Sequence, residues 1–441
     1  MSTLGYLKRN WEFSAAAFVV LYFVFLQVFF EKQDLGKSIR VLPQDVINAY
    51  PHQDGKFAYM QYATNKQYLE LAINNFVVLE RSGSRIADKV IIIKSSVRND
   101  PGYSKIQTQA KENGIKLVAV PSIEVSGTLS PEWADSFTKF HIFGQTQYDR
   151  VVYFDADSMF VSAEKTENGF KNVPKPIDEL FNIPKSIDIA LPQAYWVTND
   201  NVKPPRGVQL PSKSDYERSV RQAAYAAKKG EDSFPMLPKL LFPGHKFENR
   251  ANFFASHVIV FTPSSKLFKT LKKYVHNPWL WSIFSRQRLR QPEDYDMEII
   301  NRYLDETLRK NRAIRIGILP HQVYGVLTGE FKELYHRRFV ARPEELPFVD
   351  KFSSDGWNAT EALLGLKMIH FSDAPIPKPW QQQNNHDYYN AYKIYCYDES
   401  FDPDTYHRKF PDAKPRLTSD CASVEIWNWL MAEFHRQRVG M

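Results

Sequence analysis

Between residues 56 and 154 the apolar and polar positions fall into a regular alternation. Lys56 to Ala63, KFAYMQYA, predicts a strand. Asn65 to Leu79 carries Leu69, Ala72, Ile73, Phe76 and Leu79 at helical spacing. Lys89 to Lys94, KVIIIK, is the continuous apolar run expected of a strand buried on both faces. Gly102 to Asn113 predicts a helix closed by Gly114. Ile115 to Val120 predicts the next strand. Trp133 to Phe143 predicts the next helix, with Phe137, Phe140 and Phe143 sharing part of a face. Arg150 to Phe154 completes the series. Strands alternating with helices predict an α/β fold with a mostly parallel sheet.

Residues 162 to about 248 are irregular and proline-rich and predict long excursions over that sheet rather than a second domain. Ala255 to about Pro263 predicts a further strand, and Ser265 to Val275 a helix. Lys367 to Phe371, KMIHF, predicts a late strand with His370 near its end.

Phe13 to Phe30 is a mostly apolar run that no charge interrupts, with Gln27 its only strongly polar residue. As a helix it would span roughly 27 Å, close to the thin hydrocarbon core of early secretory membranes. A cleaved signal peptide is the rival reading, but such a segment ends in small residues, whereas here Ala15 to Ala17 come first. Lys8 and Arg9 precede the run, which orients the short tail to the cytosol. The expected organisation is a cytosolic tail (1–12), a transmembrane signal anchor (13–30), a lumenal stem (31–55) and a single catalytic domain with a C-terminal extension (56–441). Asn358-Ala359-Thr360 is a glycosylation sequon consistent with a lumenal chain.

Composition narrows the function classes. The chain has 441 residues, 43% hydrophobic, enough for one large core or two modest ones. Aromatics reach 14%, which suits core packing or faces on which sugars stack. Lys and Arg number 57 against 50 Asp and Glu, a net charge of +7 that suits an anionic substrate and is too diffuse for nucleic acid. Cys396 and Cys421 form no CxxC pair, so a cysteine-held zinc is excluded; they read as one disulfide or as two buried thiols.

The candidate chemistry begins where the strand Arg150–Phe154 runs into Asp155 and Asp157, separated only by Ala156. In open α/β sheets, ligands bind beyond the carboxyl ends of strands. Two carboxylates flanking one small residue can hold a hard divalent cation and leave positions open for phosphate oxygens. A solvated turn is the plain alternative. His370 adds a possible third ligand, and a mixed carboxylate and imidazole set leans toward Mn²⁺ over Mg²⁺. A buried, hydrogen-bonded core histidine is its alternative. Lys378 sits in the proline-held loop that follows, as a point charge for a diphosphate or as a surface lysine.

Four blocks carry a family resemblance. Phe137 to Val161 (FTKFHIFGQTQYDRVVYFDADSMFV) resembles the metal-binding segment of family 8, glycogenin-like, retaining glycosyltransferases. His370 to Trp380 (HFSDAPIPKPW) resembles their closing motif, Tyr62 to Tyr68 (YATNKQY) their opening nucleotide turn, and Glu293 to Asn301 (EDYDMEIIN) a later helix start. The blocks stand in family order across residues 56 to 381. The chain is most similar to the subgroup of fungal Golgi N-acetylglucosaminyltransferases of the glucose N-acetyltransferase type.

The resemblance implies a GT-A fold, a UDP-sugar donor and Mn²⁺ held by Asp155, Asp157 and His370. It implies Tyr62, Thr64, Asn65 and Tyr68 around the base and ribose. Lys139 and Lys378, with the Asp155–Ala156 backbone, would meet the diphosphate or donor sugar. Asp296 and Glu293 would face the reacting sugar. The subgroup implies UDP-GlcNAc as donor, a mannose-containing N-linked glycoprotein as acceptor, and a single-pass type II protein of the Golgi membrane. Three departures touch the sugar pocket: Ala255 stands where the family commonly has Asn, Asp373 replaces the closing glycine, and the usual Asp-Gln pair reads Asp296-Met297. An apolar wall at Phe253, Phe254 and Ala255 would leave room for an acetamido methyl. The rival readings are a family 8 glucosyl- or galactosyltransferase on another acceptor, and an inactive lumenal sugar-binding protein.

Overall fold

The structure, a computed structural model, describes residues 38–438 apart from 126–134, 198–210, 236–252, 277–289, 310–313, 333–335, 344, 347–348, 350–352, 373–377, 383–392 and 399. The expected anchor at Phe13–Phe30 lies outside the described residues. Among the described residues no helix is long and apolar enough to cross a membrane.

An eight-stranded sheet organises the chain. Its order is Ile39–Val41, Ile316–Leu319, Ile189–Pro192, Val258–Phe261, Arg150–Phe154, Phe57–Ala63, Ala87–Lys94 and Ile115–Val120. All pairings are parallel except those of Val258–Phe261, which runs antiparallel to both neighbours. The expected mostly parallel α/β fold is therefore present.

The strands are continuous apolar runs because both faces are covered. Tyr59, Ile91, Ile93, Val152 and Phe154 enter one core, beneath the helix Lys66–Arg81. Their sequence neighbours Met60, Val90, Ile92, Val151 and Tyr153 enter the other. That alternation is the two-residue period of a strand.

Three expectations need correction. The polar stretch read as a stem over 31–55 belongs to the domain from Ile39 on. Ile39–Val41 pairs with Ile316–Ile318 as the edge strand, and Gln44–Ala49 is a helix. Three residues are too few to show a strand period, so the sequence hid this strand. Second, the excursion over 162–248 contains the sheet strand Ile189–Pro192 and the helix Lys213–Ala227. That helix packs Val220 and Ala223 against Val46 and Tyr50. Third, Trp133–Phe143 is not an α-helix: its described part is the 3₁₀ helix Ser136–Gly144. Phe137, Phe140 and Phe143 recur every three residues, which is the 3₁₀ period, and all three are fully buried.

Cys396 and Cys421 are joined, with Cα atoms 5.0 Å apart. The bridge ties the small strand Ile394–Cys396 to the start of the helix Cys421–Arg436. Asn358 is exposed and caps the helix Ala359–Gly365, its Oδ1 accepting from the Glu361 N–H at 3.1 Å.

Candidate active site

The strand Arg150–Phe154 lies inside the sheet, and at its carboxyl end the chain turns at once through Asp155, Ala156 and Asp157. It then enters a second sheet as Ser158–Phe160, antiparallel to Met368–His370. That register opposes His370 to Ser158, and the Phe371 N–H donates to the Asp157 carbonyl at 2.9 Å. The pairing delivers an imidazole from 213 positions downstream to the two carboxylates (370 − 157 = 213). His370 Nε2 lies 3.0 Å from Asp157 Oδ1 and 3.6 Å from Asp155 Oδ2. One ligand atom from each residue falls within 4.8 Å of the others. Two carboxylates and one imidazole at that spacing suit a borderline divalent cation such as Mn²⁺.

Two ammonium groups flank the carboxylates. Lys139 is buried, with Nζ 2.6 Å from Asp296 Oδ2 and 3.1 Å from Asp155 Oδ1. Burial alone would lower its pKa, but Asp155 and Asp296 outweigh that and raise it, so Lys139 stays charged. Lys378 Nζ lies 3.5 Å from Asp157 Oδ2.

The two aspartates are driven apart. Burial raises the pKa of Asp155 against the pull of Lys139. Burial pushes Asp157 the same way, but His370 and then Lys378 carry it well below the usual carboxylate range. Tyr153 Oη, its own pKa raised by burial, donates to Asp155 Oδ1.

Asp296 opens the helix Asp296–Arg309. Ser256 Oγ donates to its Oδ2 at 2.7 Å, so Lys139 and Ser256 share one carboxylate oxygen. Asn301, five residues along that helix, clamps the chain beside Ser256. Its Oδ1 accepts from the Phe254 N–H at 2.8 Å and its Nδ2 donates to the Phe254 carbonyl at 2.7 Å. Behind the aspartate loop, Asn75 Nδ2 donates to the Ala156 carbonyl and to Gln61 Oε1, both at 3.0 Å. Gln61 in turn donates to the Ala72 carbonyl at 2.9 Å.

No family model matches this chain. It is 44% identical over 450 residues to Glucose N-acetyltransferase 1 of Debaryomyces hansenii, covering 98% of this chain and 97% of that protein. It is 44% identical over 453 residues, with the same coverage, to the protein of that name in Candida albicans. The chain belongs to the glucose N-acetyltransferase 1 family. A more distant protein of that name, from Saccharomyces cerevisiae, is 24% identical over 77% of this chain and 75% of its own. Among solved structures, the bifunctional glycosyltransferase WbbM aligns with a TM-score of 0.39 and 12% identity, over 87% of this chain and 52% of that one. The galactosyltransferase LgtC aligns with a TM-score of 0.39 and 10% identity, over 74% and 90%.

In this glucose N-acetyltransferase 1 family member, most of the residues singled out in the sequence share one cleft. Tyr62, Thr64, Tyr68, Lys139, Asp155, Ala156, Asp157, Asp296, His370 and Lys378 line a cavity of about 420 Å³. Three do not. Asn65 is exposed and caps the helix Lys66–Arg81, accepting from the Tyr68 N–H at 3.0 Å; it shapes the turn rather than lining the cleft. Glu293 is exposed in the turn before the helix that Asp296 begins, so counting back one helical turn from Asp296 has no meaning there. Glu298 takes the place expected of Glu293. It lines the cleft, accepts from the Tyr295 N–H at 3.1 Å, and has its pKa raised by burial. Ala255 is fully buried against Ala194, Phe253 and Met297, and Met297 rather than Ala255 meets the cleft.

Asp373 lies outside the described residues. Ser256, Asn75 and Gln61 escaped the sequence reading because their partners lie in other elements; Glu298 escaped it although it stands inside EDYDMEIIN, three residues from its partner Tyr295. Only the Asn closing EDYDMEIIN gave a signal, and its role proves to be the backbone clamp on Phe254.

Proposed function

We propose that this chain is a retaining N-acetylglucosaminyltransferase of GT-A type. It would move N-acetylglucosamine from UDP-GlcNAc to mannose on N-linked glycans, and it would be anchored in the Golgi membrane by Phe13–Phe30 with its bulk in the lumen. The observation that carries this reading is the convergence of Asp155, Asp157 and His370 with Lys139, Lys378 and Asp296 in one cleft. The relatives' name, which couples glucose with N-acetyl transfer, supports the choice of sugar. The buried position of Ala255 removes it as a determinant of that choice.

Asp155, Asp157 and His370 would hold Mn²⁺, which when bound supplies positive charge against a leaving diphosphate. Lys378 adds a second positive charge on the Asp157 side and closes over the same phosphates. Its Nζ also donates to the Phe371 carbonyl, which tethers the loop to the ligand strand. Tyr62 and Tyr68 wall the base pocket, and Trp380 braces Tyr68 edge-on at 6.0 Å. Asp296 has its Oδ2 taken by Lys139 and Ser256, so Oδ1 is the oxygen available to positive charge growing on the sugar carbon. Lys139 holds that carboxylate in place through the 2.6 Å ion pair. The acceptor hydroxyl then attacks from the face that UDP leaves, which retains configuration. Most of the rate enhancement comes from positioning and fixed charge.

Incubation with UDP-GlcNAc and a mannose-terminated glycan, followed by mass and anomer analysis of the product, tests the reading. An added N-acetylhexosamine in α linkage is expected. A product carrying only an acetyl group, or a plain hexose taken from UDP-glucose or UDP-galactose in preference, would contradict it.

A further inference from the structure

A histidine that ligates a metal through one ring nitrogen is usually fixed by a hydrogen bond from the other to a carboxylate, carbonyl or water. Among the described residues, His370 lacks that bond. Its Nε2 faces the two aspartates, while its Nδ1 is buried and has no hydrogen-bond partner. Something else must set the ring's angle.

His257 occupies that place. Its ring stacks on His370 with centroids 4.8 Å apart and planes at 24°. On its own side it faces Trp196, with ring centroids 5.9 Å apart and planes at 34°. His257 is 5% exposed, and among the described residues its Nε2 has no hydrogen-bond partner. Its backbone acts on the same cluster, since the His257 carbonyl accepts from the Asp155 N–H at 2.9 Å. One residue therefore braces two of the three ligand-bearing residues, one through its ring and the other through its carbonyl.

We propose that His257 is a positioning residue of the metal cluster, and that its stacked ring replaces the missing hydrogen bond in aiming His370 Nε2. This rests on the metal-holding role of Asp155, Asp157 and His370 proposed above. The shape of the ring is what matters, not its nitrogens. A flat apolar ring should substitute for it and a chain-shortened residue should not.

The test measures Mn²⁺ affinity directly, by the electron paramagnetic resonance signal of unbound Mn²⁺. It uses the full chain in detergent as wild type, His257→Ala, His257→Asn and His257→Phe, with thermal unfolding to confirm folding. The Ala and Asn variants should bind Mn²⁺ about 10- to 100-fold more weakly, the range for loss of an outer support. The Phe variant should recover affinity close to wild type. If His257→Ala does not fold, the Asn and Phe variants decide. Ala and Asn variants that bind as tightly as wild type would reduce His257 to core packing and overturn the proposal. A Phe variant as weak as Ala would overturn the stacking account, because a ring nitrogen would then be needed. A wild-type chain that binds no Mn²⁺ would remove the metal reading itself and this inference with it.

Discussion

Lys139 Nζ lies 2.6 Å from Asp296 Oδ2, and the same ammonium lies 3.1 Å from Asp155 Oδ1. One buried cation therefore joins the carboxylate proposed to face the sugar to a carboxylate proposed to hold the metal. Lys139→Met would leave both acids without that partner. Breaking a buried ion pair by removing one member costs roughly 3–5 kcal/mol of stability. Turnover should fall about 100-fold or more, since Asp296 would lose the ammonium that fixes its Oδ2 in the cleft. Denaturant unfolding and steady-state kinetics on the same preparation check both effects.

Asn75 tests support from behind. Its amide holds the Ala156 carbonyl and Gln61 from within the core. Asn75→Leu should cost about 1–3 kcal/mol, because the Ala156 carbonyl and Gln61 amide would be left buried without their donor. The readout is the denaturant midpoint. A midpoint equal to wild type would show that this network does not hold the aspartate loop.

A second prediction about charge lies away from the cleft. His336 is 1% exposed, with Nε2 2.6 Å from Asp420 Oδ2 and Nδ1 3.2 Å from Glu330 Oε1, and it stacks on Trp357 at 4.0 Å. Burial alone would lower its pKa, but Glu330 and Asp420 outweigh that and raise it. A raised folded pKa means the stabilisation is complete below the unfolded value of about 6.5 and fades as pH rises through the folded one. Melting temperature should therefore decline from pH 6 toward alkaline pH more steeply in wild type than in His336→Gln. Parallel profiles would contradict this.

The bridge Cys396–Cys421 closes a loop of 25 residues. In the chain-entropy model, removing such a bridge costs roughly 3 kcal/mol. Cys396→Ser/Cys421→Ser should unfold at correspondingly lower denaturant. Alkylation mass spectrometry under denaturing, non-reducing conditions should find neither Cys396 nor Cys421 alkylated in wild type.

What the sequence made legible follows from distance along the chain. KVIIIK announces a buried strand because Val90 to Ile93 are covered on both faces, so no polar residue interrupts them; IKLVAV, at the sheet edge, carries the exposed Lys116 and announces itself by its remaining apolar positions. Asp155 and Asp157 stand out because two charges end an apolar run. His370 could be placed at a strand end, but its pairing with Ser158 could not, since strand register between distant segments leaves no local trace. Ile189–Pro192 was hidden by being four residues long in proline-rich surroundings. Ser256 and His257 act on partners supplied by other segments, and their neighbours in sequence say nothing of that. Glu293 misled because it sits near Asp296 in sequence yet outside the helix that Asp296 begins.

The central claim is that Asp155, Asp157 and His370 make a metal-dependent UDP-sugar site. Asp157 tests it most directly, because it bonds His370, faces Lys378 and lies outside the core strands. The measurement is UDP release from UDP-GlcNAc with and without Mn²⁺, for wild type and for Asp157→Asn of unchanged melting temperature. The account predicts release that requires Mn²⁺ in wild type and is lost in the variant. Equal release from both proteins, or release indifferent to Mn²⁺, would contradict it.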